Sequence, residues 1–165
     1  GNTNVEFIPH AAGPRILLNG KDVTVAIRRP EVALAASKVS RFPSVRQKMI
    51  ELQRRLAAEK GAVMEGRDIG TVVFPHADLK VFLTADTAER ARRRCHEERA
   101  RGEDIGFAQT VAAIERRDQQ DRTRKQSPLI PAPDAVTVDS TQLTADEVVE
   151  KIVALARGKN LTAEE

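Results

Sequence analysis

Ala62-Val63-Met64, followed without a break by Glu65-Gly66-Arg67-Asp68-Ile69-Gly70, is the stretch that decides how the rest of the chain is read. Three apolar residues predict a short buried strand, and the six that follow predict a loop leaving its carboxyl end. Downstream, Leu79 to Leu83 is a second apolar run, and Asp86 with Glu89 is an acidic N-cap with its capping-box partner. An Arg-rich helix follows and stops near Gly102. Phe107, Val111 and Ile114 then mark the apolar face of a helix running to about Arg122. Pro128, Pro131 and Pro133 form a loop, Ala135 to Asp139 is the last strand, and Thr144 with Glu147 caps a closing helix with the stripe Val148, Ile152, Leu155. Short apolar strands alternating with helices predict an α/β fold, a parallel sheet covered on both faces.

Upstream the pattern differs. Val5 to Ile8 and Arg15 to Leu18 read as short strands joined to a third, Lys21 to Ile27, through Asn19-Gly20, the strongest short hairpin signal. Glu31 to Ser40 is an Ala-rich helix broken at Phe42-Pro43. A second helix opens at Pro43, carries Val45, Met49, Leu52 and Leu56 on one face, and ends at Gly61. Residues 1–60 therefore read as a small β unit with two helices, and 61–165 as the sheet, with a helical excursion at about 87–127.

Composition narrows the function classes. Of 165 residues, 41% are hydrophobic and 31% charged, enough for a packed core. No apolar stretch approaches bilayer length, and the first residues lack a signal peptide's layout. The single cysteine, Cys95, fits a reducing compartment. The expectation is a soluble cytoplasmic domain. Trp and Tyr are absent, which argues against nucleic-acid recognition by stacking. The net charge is only +3, yet 19 of the 27 basic residues are Arg, the residue whose planar donor fork suits carboxylate and phosphate.

Three groups of residues offer chemistry. Arg67 and Asp68, between Gly66 and Gly70, put a phosphate-grade donor beside a carboxylate at a strand end, where α/β sheets bind ligands; a local Arg–Asp pair closing a turn fits the same spacing. Arg117, Asp121 and Arg124 stack on one helical face, with Asp121 able to pair with either neighbour. They read either as a grip on an anion or as a surface ion-pair ladder. Arg90, Arg93 and Arg94 form a like-charged patch, offset by Glu89, Glu97 and Glu98 or by a polyphosphate. His10, His76 and His96 show no metal-ligand spacing, and Cys95 reads as helix filler.

Taken together, Leu18-Asn19-Gly20-Lys21-Asp22-Val23-Thr24 with Ile27-Arg28, Pro30-Glu31-Val32 through Ala35-Ala36-Ser37, and Phe42-Pro43-Ser44-Val45-Arg46 resemble the bacterial cytidylate kinase family. Glu65-Gly66-Arg67-Asp68-Ile69-Gly70-Thr71-Val72-Val73-Phe74-Pro75 is similar to its central signature. Glu115-Arg116-Arg117-Asp118 through Asp121-Arg122-Thr123-Arg124, with Ser127-Pro128-Leu129, is similar to its late helix. The resemblance covers nearly the whole chain from Val5. It implies a P-loop nucleoside monophosphate kinase fold with an acceptor-binding insertion at 1–60 and an Arg-rich lid at about 87–127.

By that resemblance the reaction is phosphoryl transfer from ATP, with Mg²⁺, to CMP or dCMP. Arg46 and Asp68 are expected to read the cytosine ring, and Ser37, Arg117 and Asp121 to face the ribose. Arg67 and Arg124 hold the nucleotide phosphate, and Arg93 approaches ATP; Arg67, Arg93 and Arg124 are the catalytic candidates. Small nucleotides are the implied partners, without nucleic acid or membrane, and the complete protein is expected to be a monomer. One departure stands out. The family's GxxxxGK[ST] donor-phosphate loop is missing: Gly20-Lys21 is followed by Asp22, and Gly158-Lys159 by Asn160. The expectation is a chain that begins inside the insertion, without the P-loop strand between those matching Ala62–Glu65 and Leu79–Leu83. A non-catalytic nucleotide- or partner-binding remnant is the alternative.

Overall fold

Asn19 and Gly20 take φ of 50° and 80°, the two left-handed residues that a type I′ turn requires. The hairpin they close organises the first part of the chain. The computed structural model describes residues 3–11, 13–40, 42–58, 62–124 and 127–161; the side chains of Pro30, Ala33 and Ser37 lie outside that description, as does Gly61. Two compact units result, Gly1–Leu56 and Ala57–Glu165.

In the first unit β1 (Val5–Ile8), β2 (Arg15–Leu18) and β3 (Lys21–Asp22) form an antiparallel sheet in that order. Val5 lies opposite Leu18, and Leu17 opposite Asp22. The return strand stops after two residues instead of reaching Ile27, because side chains take over the ladder. The Thr24 hydroxyl accepts the Ile16 amide at 2.8 Å, and the Asp22 carboxylate accepts the Thr24 amide at 2.9 Å. Such local bonds compete with strand pairing. A 3₁₀ turn at Ala26–Arg28 leads into α1 (Pro30–Val39) and then α2 (Pro43–Ala58). Both helices open on proline, whose missing N–H costs nothing at a helix start. Ile50 is buried, whereas Phe7, Leu34 and Phe42 are exposed.

The second unit holds β4 (Val81–Thr84), α3 (Thr87–Ala100), α4 (Phe107–Thr123), β5 (Val136–Asp139) and α5 (Ala145–Gly158). β4 and β5 pair in parallel, Val81 opposite Val136 and Thr84 opposite Asp139. Among the described residues this sheet has two strands. The run at 62–64 is not one of them, and Val63 is fully exposed. A strand is defined by a hydrogen-bonded neighbour, and among the described residues this segment has none. The sheet is also incompletely covered: Leu83 and Val136 are exposed.

α3 packs on α4 through small side chains, Ala91, Cys95 and Thr110, all buried. The Cys95 thiol lies 3.4 Å from the Thr110 hydroxyl, which donates to the Gly106 carbonyl at 3.1 Å. Small residues at a crossing let helix axes approach closely. The expected capping box at Asp86 and Glu89 does not form: Asp86 makes no side-chain cap, and Glu89 turns to Arg92 and Arg93. Charge-assisted bonds to two guanidinium groups outcompete a bond to a neutral amide. At α5 the box does form, with the Glu147 carboxylate accepting the Thr144 amide at 2.7 Å. Those Thr144 bonds hold the Glu147 carboxyl below its ordinary range.

Candidate functional site

The signature segment ends in one turn of π-helix, Ile69–Val73. The Asp68 carbonyl accepts the Val72 and Val73 amides at 2.9 and 3.3 Å and the Thr71 hydroxyl at 3.4 Å, while Phe74 donates to Ile69 at 2.7 Å. Arg67 and Asp68 therefore stand at the mouth of a tightly wound turn. The flanking glycines serve packing rather than chain reversal, since positive φ among the described glycines occurs at Gly13, Gly20 and Gly102 only. A Cβ on Gly66 would come within 2.8 Å of Ile69 Cγ1, and one on Gly70 within 3.4 Å of Lys80 Cδ.

From that mouth Arg67 reaches α4. Its Nε lies 3.4 Å from Asp121 Oδ2, and the other Asp121 oxygen lies 3.7 Å from Arg124 Nη1. Arg124 sits just beyond the helix in an extended conformation, and its Nε donates to the Ser127 carbonyl. The Asp121 side chain is only 17% exposed. One carboxylate thus gathers two guanidinium groups from separate elements. Arg124 Nη2 and Asp121 Oδ2 are buried and carry no hydrogen bond among the described residues. A buried guanidinium nitrogen without an acceptor is costly, and an anion would satisfy it.

The remaining candidates are placed differently. Arg117 is exposed on α4 and pairs with no described residue, so the triad read from helical spacing is not what forms. Asp121 takes Arg124 and, in place of Arg117, Arg67, a partner that helical periodicity cannot reveal. Asp68 is half-buried. Arg46, also half-buried, lies in the first turn of α2, in the other unit; its amide donates to Phe42 at 3.0 Å. The Ser37 side chain lies outside the described residues.

Arg93 is tied down. It donates to Glu89 at 3.0 Å, to the Ser140 hydroxyl at 3.1 Å, and to the Ser140 and Leu143 carbonyls at 2.5 and 3.1 Å. Arg90 bridges to Asp118 at 2.7 Å and donates to Ala85 and Thr87. Arg94 Nε lies 3.9 Å from Glu98 Oε1, so all three members of the like-charged patch pair with acids, and two of them donate to carbonyls as well. The Glu89 carboxyl sits below its ordinary range chiefly because Arg92, then Arg93, donate to it.

Sequence reading missed the buried Lys80. Its Nζ donates to both Asp134 oxygens at 2.8 Å and to the Pro75 carbonyl at 2.5 Å. The signal was present, a cation inside the apolar run from Leu79 to Leu83. Among the described residues no three His, Cys, Asp or Glu side chains gather as a metal cage, and no helix is long and apolar enough to cross a membrane.

Comparison with known proteins adds to this geometry. A family model described as cytidylate kinase matches residues 2–158. A cytidylate kinase of Saccharophagus degradans is 48% identical over 96% of this chain and 71% of its own. One of Desulfitobacterium hafniense is 46% identical over 92% and 66%. A bifunctional pantoate ligase/cytidylate kinase of Synechococcus is 50% identical over 90% of this chain and 28% of its own length.

Proposed function

The chain belongs to the cytidylate kinase family, phosphotransferases of the α/β P-loop nucleoside monophosphate kinase fold, and from that premise we propose that it takes part in phosphoryl transfer from ATP to CMP or dCMP, yielding ADP and CDP or dCDP. In this reading 1–60 is the acceptor-binding insertion and about 87–127 the lid. The observation that carries the reading is the Arg67–Asp121–Arg124 cluster with its buried, unsatisfied Arg124 Nη2.

Each residue then has a chemical task. Arg67 and Arg124 bind the acceptor phosphate, spreading positive charge over oxygens that must approach an equally anionic donor. Asp121 faces the ribose with Arg117 and Ser37, and its shared carboxylate keeps both guanidinium groups extended. Asp68 accepts the exocyclic amine of cytosine, while Arg46 donates to ring O2 and N3. This pairing distinguishes cytosine from uracil, which lacks that amine. Holding the acceptor in line is most of what a phosphoryl-transfer enzyme contributes. For Arg93 to meet ATP, its bonds to Ser140 and Leu143 would have to exchange for phosphate oxygens.

The donor side does not fit the residues present. The sequence carries no GxxxxGK[ST] nest. Magnesium belongs here to the ATP it accompanies, and it neutralises donor phosphate charge. A second reading is that this chain binds a nucleotide or a partner without turnover. Two measurements separate them: CMP titration by calorimetry, and ADP release with CMP as acceptor. Binding with release supports the kinase reading, binding alone the second. Neither one sinks both.

A further inference from the structure

We propose that Lys80 is a positioning residue that fixes the signature turn, and with it Arg67 and Asp68, by joining the turn's exit at Pro75 to Asp134. The proposal rests on the acceptor-binding reading above. Lys80 lies one residue before β4, and its side chain is only 7% exposed. Burying an ammonium group is expensive unless its donors are used. Here they are used: the two Asp134 oxygens and the Pro75 carbonyl are all within hydrogen-bond distance.

The location of those bonds gives them meaning. The Pro75 carbonyl lies two residues beyond the π-helical turn, so the ammonium group clamps its exit. The same side chain passes beneath Gly70, near enough that a Cβ there would touch Lys80 Cδ at 3.4 Å, Cγ at 3.5 Å and Cβ at 3.7 Å. One lysine therefore supports the turn at its second residue and ties it just past its last. Its own carbonyl accepts the Val136 amide at 2.9 Å, which anchors the clamp to the sheet. The turn's entry is bound to its exit by the Asp68 and Ile69 carbonyls. A shift at Pro75 is thereby passed to the residues that carry Arg67 and Asp68. The Asp134 carboxyl, held below its ordinary range chiefly by the Lys80 bond, agrees with a formed pair.

A methionine at 80 keeps the stem and removes the ammonium group. In the full chain Lys80→Met is expected to raise the Kd for CMP about tenfold, as a misplaced binding group does. It also speeds amide exchange at Val72, Val73 and Phe74, while Ile114 in α4 exchanges as before. A lowered Tm with unchanged CMP affinity and unchanged turn exchange overturns the proposal. If Lys80→Met does not fold, Asp134→Asn weakens the same clamp and is expected to raise Kd about twofold; unchanged affinity there overturns it as well. An unaltered chain that binds no CMP overturns the acceptor reading and this one with it. Binding by the unaltered chain and equally by Lys80→Met overturns this one alone.

Discussion

Arg67 Nε and Asp121 Oδ2 stand 3.4 Å apart, joining the signature turn to α4. The pair is half-sheltered from water, so its electrostatics are felt more strongly than those of a surface bridge. It matters less as a bond than as an alignment. Because Asp121 also neighbours Arg124 at 3.7 Å, the two guanidinium groups share one counter-charge and retain donors for an anion.

Arg124→Ala removes the guanidinium that has a buried nitrogen to spare. Charge-assisted bonds contribute roughly 1.5–3 kcal/mol, so CMP affinity should fall at least about tenfold, while cytidine, which lacks the phosphate, should bind as before. Calorimetry with both ligands reads the difference. Equal losses for the two would remove Arg124 from the phosphate role.

Asp68→Ala deletes the proposed acceptor for the cytosine amine. The preference for CMP over UMP should shrink about tenfold or more, since a site built around one hydrogen bond discriminates through it. Competition binding with the two nucleotides measures this. An undiminished preference assigns base reading to other residues.

Arg90→Met tests the link between α3 and α4. It leaves Asp118, whose side chain is 14% exposed, without its counter-charge, and stability should drop by about 2 kcal/mol in urea unfolding. A drop below about 0.5 kcal/mol would place the pair among ordinary surface bridges.

Asp22 gives the first unit an acid sensitivity. Its carboxyl is lowered from 3.8 to about 2, first by the Thr24 hydroxyl and amide, then by the Arg15 guanidinium. A folded value below the unfolded one stabilises the hairpin above about pH 4, and that support is lost as pH falls through 2. Amide exchange at Ile16 and Val23, followed between pH 4 and pH 2, should quicken in the native chain. In Asp22→Asn the acceleration over that interval should be absent. Identical profiles would contradict the linkage.

Lys80 and Arg93 show where sequence reading stops. Helical spacing grouped Arg117 with Asp121 and Arg124, yet the space around Asp121 is filled by Arg67. Its neighbours in sequence place Arg93 in a like-charged patch, while most of its bonds run to Ser140 and Leu143. The role of Lys80 in an apolar run is not legible locally because its partner, Asp134, lies on the far side of two helices in the chain.

What the chain determined by itself is local or familial. The Asn19-Gly20 turn, the proline-started helices, the Thr144–Glu147 cap and the likeness to cytidylate kinases all rest on short-range stereochemistry or on motifs in order. Tertiary structure alone decided which guanidinium groups keep donors for an anion and which are spent on carbonyls. The physical reason is that an arginine's availability depends on acceptors brought near by folding, and these come from segments remote in sequence. The same dependence left Val63 exposed, since an apolar run becomes a buried strand only beside a neighbour that hydrogen-bonds to it.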